Sequence, residues 1–328
     1  MTTTPTSRFA DTRPNPWVTF TLRRLGRLTV SLAVLITASF AMIHLVPGDP
    51  VRAALGVSAS PELVEARKHA LGLDRSLPDQ FGSFVAGLLQ GDLGESIGAG
   101  MPVAEIISDR LPSTMQIAAI AFVTTIVVAV PLGMAAGVFT RHGRRRRLEL
   151  AFVGATSVVA VLPEFLLAVG LAAIFGAQLG WLPVALKDGP ESYVLPVLAL
   201  AIGPVAALSR IVRVETLRVL DEDYMRTARA KRLPTRILYV RHALPNLLTS
   251  SLTLGGLMLA GLLTGTVLVE NVFAWPGLGM TMVQAIIQKD YPLVQGVVLV
   301  YGTLALLINF TVDIVLAIAD PNSTIRES

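Results

Sequence analysis

The chain contains no cysteine. A disulfide framework, thiol catalysis and a cysteine–zinc site are all excluded on that ground. Charge is scarce as well. Only 15% of its 328 residues are charged, against about 25% in an ordinary soluble domain. The four histidines, His44, His69, His142 and His242, are too scattered to suggest a metal cluster. No G-x-x-x-x-G-K-[ST] occurs, so the chain does not bind ATP by a phosphate loop, and no H-E-x-x-H occurs. What it has in abundance is apolar: 53% of residues are hydrophobic and the mean hydropathy is +0.64. That excludes a disordered chain and argues against a soluble enzyme.

A bilayer core of roughly 30 Å needs about 20 apolar residues as helix. Six nearly charge-free runs of that kind occur, at about 28–46, 114–139, 150–179, 193–209, 246–269 and 293–319. None alternates with period two, so a β-barrel is excluded. Backbone polar groups in a bilayer must be paired internally, so the runs are helices and the fold is all-α. The first run follows Arg23, Arg24 and Arg27 like a signal peptide, yet it ends in Pro-Gly-Asp-Pro without a small-residue cleavage site, which makes it a retained span.

With the N-terminus in the cytoplasm, twenty of the 27 Lys and Arg residues fall on the inner side. This asymmetry predicts both termini inside and an even number of spans. It also accounts for the pI of about 9.7 without nucleic acid. The expected organisation is a cytoplasmic tail at 1–27, a first span at 28–46 and an extracytoplasmic segment at 47–112. A five-helix core at 113–319 with a cytoplasmic loop at 213–245 and a tail at 320–328 complete it.

Within 47–112, Ser60-Pro61 reads as a helix start, with Leu63, Val64, Ala70 and Leu71 on one face and Gly72 as the stop. A second helix is expected from Pro78 to Gln90 with Phe81, Phe84, Val85, Leu88 and Leu89 as its stripe. Two short helices cannot build a core of their own. They lie on the bundle's outer face or meet an external partner; Leu63, Phe81, Phe84 and Trp275 are the candidate contacts. On the inner side, 141–147 carries five arginines and reads as an anchor on anionic lipid. The loop 213–245 differs. Acidic residues precede a helix-forming stretch that ends in basic residues and Pro234, an order that suits the helix dipole.

Glu164 falls inside the third run and should face the bundle interior. It either lines a transport path or is a protonated or hydrogen-bonded structural acid. Asp313, with Asn309 one turn earlier, reads as an interhelical polar clamp. Gly133-x-x-x-Gly137 and Gly261-x-x-x-Gly265 read as faces for close helix packing. Gly94-x-Ser96-x-Gly98 matches a nucleophile elbow but follows no buried strand, so it reads better as a glycine-rich turn.

Several stretches together resemble the permease subunits of ABC importers, in the dipeptide/oligopeptide/nickel branch. They are Pro47-Gly-Asp-Pro50, Leu71-Gly-Leu-Asp74, Gly91-Asp-Leu-Gly94 with Ser96, Arg110-Leu-Pro-Ser-Thr114 and Asp223-Tyr224-Met-Arg-Thr-Ala-Arg-Ala-Lys-Arg232 followed by Arg241-His-Ala-Leu-Pro-Asn246. Val269-Glu270 through Trp275-Pro-Gly-Leu-Gly279, Asp290-Tyr-Pro-Leu293 and Asp320-Pro321 complete the series. The resemblance implies the six-span type I importer fold and a heterodimer with a second permease. It also implies two cytoplasmic ATPases that bind the ATP and Mg, and an extracytoplasmic substrate-binding protein. Peptides are the implied cargo, and this chain itself is expected to bind no cofactor or metal, to hold no catalytic residue and to reside in a bacterial inner membrane. Glu222, Asp223, Tyr224, Met225, Thr227, Ala228, Arg229, Ala230, Lys231 and Arg232 become the ATPase-coupling loop. Small Ala228 and Ala230 would let the partner approach, with Tyr224 and Met225 as anchors. Arg232 stands where the family usually has Gly. The rival readings are a secondary transporter or channel, which needs coupling acids in the membrane, and an intramembrane serine hydrolase using Ser96.

Overall fold

The computed structural model describes residues 16–45, 50–56, 59–70, 72–143, 145–185 and 189–319. The tail 320–328, most of the first tail, Leu71 and the start of the Pro-Gly-Asp-Pro motif lie outside these. Described residues form helices joined by turns, with one isolated bridge between Glu95 and Pro102. In chain order the helices are α1 (Pro16–Leu45), α2 (Pro50–Leu55), α3 (Pro61–Ala70), α4 (Leu77–Leu89), α5 (Val103–Thr140), α6 (Arg146–Val161), α7 (Glu164–Leu171), α8 (Val194–Asp221), α9 (Asp223–Ala230), α10 (Thr235–Ile237), α11 (Leu244–Val272), α12 (Leu278–Ile287) and α13 (Tyr291–Ala319). Four helices among the described residues are long and apolar enough to cross a membrane, or five with a bent pair taken as one.

That bent pair corrects the sequence reading. The third run is not one straight helix: α6 and α7 meet at 95°. Leu162 is extended (ψ 124°) because Pro163 disfavours helix in the residue before it and has no N–H of its own. After α7 the chain continues through a wide helical turn, Ala172–Gln178.

The centre of the fold is the close crossing of α5 and α8. A Cβ on Gly133 would lie 2.7 Å from the Val212 side chain, and one on Gly137 would lie 2.8 Å from Thr216. Backbones approach this closely only where side chains are small. The second small-residue pair behaves otherwise. Gly261 has open space around it, and Gly265 leaves room for the Glu164 carboxylate, whose Oε1 would lie 3.3 Å from a Cβ there. At the rim, α1 packs on α13, where Gly302 accommodates Leu35. Arg24 of α1 pairs with Asp313 of α13 at 2.6 Å, so the clamp at Asp313 joins these two helices.

Two buried carboxylates fasten the short helices to this bundle. Glu270, at the end of α11, accepts hydrogen bonds from the Thr114 hydroxyl (2.6 Å) and from the backbone N–H groups of Gly279 (2.7 Å) and Met280 (3.1 Å). It thereby satisfies free donors at the start of α12. Asp290 does the same for α13 and also holds the loop at 96–98. It accepts from Ser96 Oγ (2.5 Å), Ile97 N (3.2 Å) and Gly98 N (3.0 Å).

Candidate functional site

Glu222 is extended (ψ 150°) and starts α9, with Asp223 in the first turn and Arg229 in the last. Arg226 reaches back to Asp223 at 3.2 Å, and the Thr227 hydroxyl donates to the Asp223 carbonyl at 3.1 Å. The helix ends at Lys231, whose N–H donates to the Thr227 carbonyl. Arg232 follows with φ +53°, the left-handed conformation for which glycine is the default. The turn that ends α9 is therefore built on an arginine.

The inward face of α9 corrects an expectation. Met225 is fully buried and Ala228 nearly so, packed with Val219 and Leu220 of α8 and with Leu238, Ala243 and Leu247. These residues anchor α9 to the chain's own bundle; they are not offered to a partner. The free face consists of Glu222, Asp223, Tyr224, Arg226, Thr227, Ala230, Lys231 and Arg232, with Arg229 half-buried. The Leu220 carbonyl, near the end of α8, accepts from both Arg229 (2.7 Å) and Arg141 (3.0 Å). Arg141 pairs further with Asp221 at 2.5 Å. Two guanidiniums on one carbonyl lock α9 and the end of α5 to α8. Burial, reinforced by neighbouring Arg141, lowers the Arg229 pKa, and burial followed by Glu222 raises that of Tyr224.

Of the four proposed outward contacts, Trp275 turns inward and the half-buried Phe81 and Phe84 pack on α1. Trp275 is fully buried, its indole N–H donating to the Ser113 carbonyl (3.2 Å) and its ring set edge-on to Tyr193. Phe81 and Phe84 lie against Phe40 of α1, with ring centroids 5.2 and 5.8 Å away. Apolar side chains there cover the bundle's own outer helix. Leu63 remains 52% exposed, while its neighbour Val64 is buried.

Ser96 is no nucleophile. Its hydroxyl is fully buried and donates to Asp290, with the Ala99 N–H donating to it. His44 is bonded to Phe40 and Gln80, and His69 faces Asp74. Among the described residues neither histidine is hydrogen-bonded to Ser96. Glu164 lies half-buried at the start of α7, facing Gly265 of α11. Among the described residues, no group of three or more His, Asp or Glu could hold a metal ion. Sequence reasoning passed over Glu270 and Asp290 as fasteners. Their signal was the glycines at 277, 279 and 98, each placed where a Cβ would meet the carboxylate.

Residues 129–324 match the family described as binding-protein-dependent transport system inner membrane component, and 17–118 match its N-terminal companion. The chain belongs to this family. It is an integral inner-membrane permease subunit of an ABC importer, with ATPase and substrate-binding partners; ATP and Mg act through the partner ATPases. That membership rules out the secondary-transporter and hydrolase readings. The glutathione transport system permease protein GsiC of Escherichia coli O6:H1 is 36% identical over 303 residues, covering 92% of this chain and 97% of that protein. GsiC of Pectobacterium atrosepticum is 37% identical over 302 residues. Inward-facing structures of the MetNI methionine ABC transporter share the fold at TM-scores of 0.50 and 0.51 and 16–17% identity, covering 66% of this chain and 96% of theirs.

Proposed function

We propose that this permease forms half of a translocation path for short peptides, paired with a second, homologous permease, and that α9 is the element through which the ATPases drive it. Six membrane crossings, with both termini and α9 cytoplasmic, fit the 20-to-7 distribution of basic residues. The peptide class is supported by the glutathione transport named for its relatives, since glutathione is itself a short peptide.

The observation carrying the mechanism is the two-sided character of α9. Its inner face is bolted to α8 and α11 through Met225 and Ala228, while Tyr224 and Thr227 face outward. A helix held this way moves as a rigid body with whatever grips its outer face. Closure of two ATPases on ATP would pull α9, and with it α8, so that a remote ligand biases a two-state bundle. Glu164, facing Gly265 beside the break in the third span, is the proposed path-lining acid. Leu63 is the remaining proposed contact for the substrate-binding protein.

The test uses the cysteine-free background. Thr227→Cys should crosslink to an ATPase subunit in the assembled importer, and in intact cells it should resist impermeant external reagents. Leu63→Cys should be labelled from outside. External labelling at 227 would overturn the topology, and absence of any ATPase crosslink would overturn the role of α9.

A further inference from the structure

Two arginines one turn apart on α8 behave differently. Arg213 reaches the Glu149 carboxylate at 2.6 Å, near the start of α6. Arg210 reaches instead to Ser157 Oγ at 3.0 Å. Ser157 lies eight residues further along α6, about 12 Å at 1.5 Å per residue. Arg213 thus reaches toward the start of α6, while Arg210 reaches across to a residue well along that helix. A guanidinium held for a lipid headgroup would snorkel toward the helix ends.

Arg210 also lacks a counter-charge. Among the described residues no carboxylate lies within ion-pair distance of it, and its Nε is buried without a hydrogen-bond partner. Arg210 lies in the candidate span Pro190–Asp221, just past the apolar run at 193–209, and a half-buried cation there without a counter-charge is costly and marks a place where an ion or substrate is met. Its surroundings supply a reason. Ser157 lies just before the 95° break between α6 and α7, and Val161 (82% exposed) and Leu162 form an uncovered elbow there. Non-helical backbone in a bilayer persists only where protein or a water-filled cavity covers it. This chain leaves the elbow open.

The geometry points to Arg210 as a specificity-determining residue of the path: at the elbow it receives the carboxylate of a peptide in transit. The inference rests on the peptide-permease reading above, and it adds the substrate group recognised and the residue that recognises it. Ser157 positions the guanidinium by accepting from Nη1, and the remaining Nη donors suit the two oxygens of a carboxylate.

The test uses the complete importer in vesicles, with paired peptides differing only in a free or amidated C-terminal carboxyl group. Arg210→Gln should lower import of the free acid about tenfold, the loss of a charge-assisted hydrogen bond, and leave the amide within about twofold. Arg210→Lys should restore part of the preference. Equal loss for both peptides, or no change in an active importer, would overturn the inference. A readout independent of import guards against a variant that does not assemble. In the wild-type arginine background, Ser157→Cys should react faster with an anionic than with a cationic thiosulfonate reagent. No labelling, or equal rates, would overturn it. A wild-type importer that moves neither peptide would sink the peptide reading alone, because the labelling ratio at 157 still reports on Arg210. Wild-type and Arg210→Gln importers should also show the same contrast in vesicles with and without anionic lipid; a contrast that vanishes without it would assign Arg210 to a headgroup.

Discussion

Ser96 and Asp290 lie 194 residues apart, and the buried serine hydroxyl donates to the aspartate carboxylate at 2.5 Å. Through this contact the loop at 96–98 is fastened to the start of α13. The motif that looks like a hydrolase elbow is in fact a joint. Its glycines have structural reasons: Gly94 has φ +84°, and a Cβ on Gly98 would lie 3.3 Å from Asp290.

Asp290→Ala should therefore strip the buried donors of Ser96, Ile97 and Gly98 of their acceptor. The expected cost is about 2–4 kcal/mol, because unsatisfied buried groups lose their full desolvation penalty. Ser96→Ala should cost about 1–2 kcal/mol and leave transport intact once the protein is assembled. Thermal midpoints in detergent and uptake assays check both. Loss of all activity in folded Ser96→Ala would restore a chemical role for the hydroxyl.

Gly277→Ala should be worse tolerated than its size suggests. A Cβ there would lie 2.5 Å from the carboxylate carbon of Glu270, itself held by three donors. Forcing a methyl into such a contact costs about 1–3 kcal/mol. Limited proteolysis should show earlier cleavage around α12 in the variant. Unchanged proteolysis would mean that the Glu270 cluster is slack.

Arg232→Gly should stabilise the loop after α9. The left-handed conformation costs an ordinary L-residue about 1–2 kcal/mol, and glycine avoids this at the expense of a more flexible unfolded chain. A net gain of up to about 1 kcal/mol is expected, visible as slower hydrogen exchange at Arg229 and Leu233. Faster exchange would show that the arginine side chain supplies a compensating contact.

The sequence disclosed most about long-range apolar pattern and least about faces. Spans are legible because twenty consecutive apolar residues have few alternatives. Ser60-Pro61 announced a helix start, which the structure places at α3, and the helix expected from Pro78 is α4, capped by a Ser76 hydroxyl that accepts from the Asp79 N–H. Arg232 was legible as a difficulty at the end of α9, and its positive φ shows how the chain resolves it. The break at Pro163 was visible, but the unbroken apolar length around it argued for one straight span. Trp275 was misread because an aromatic outside a span looks like surface, and only tertiary packing on Ser113 and Tyr193 shows it to be core. The same limit applies to α9. An eight-residue helix with apolar Tyr224, Met225 and small Ala228 does not reveal which of them turns toward its own bundle.

That distinction also selects the decisive variant. Ala228→Trp would disrupt the chain's own packing, whereas Thr227 is exposed and bonded only back to the Asp223 carbonyl. The most direct measurement is substrate-stimulated ATP hydrolysis, together with co-purification of the ATPases, in an importer carrying Thr227→Trp. The expected result is that the variant permease inserts with an unchanged thermal midpoint but loses both ATPase co-purification and stimulated hydrolysis. If both stay at wild-type levels, α9 is not the element that couples this permease to its ATPases.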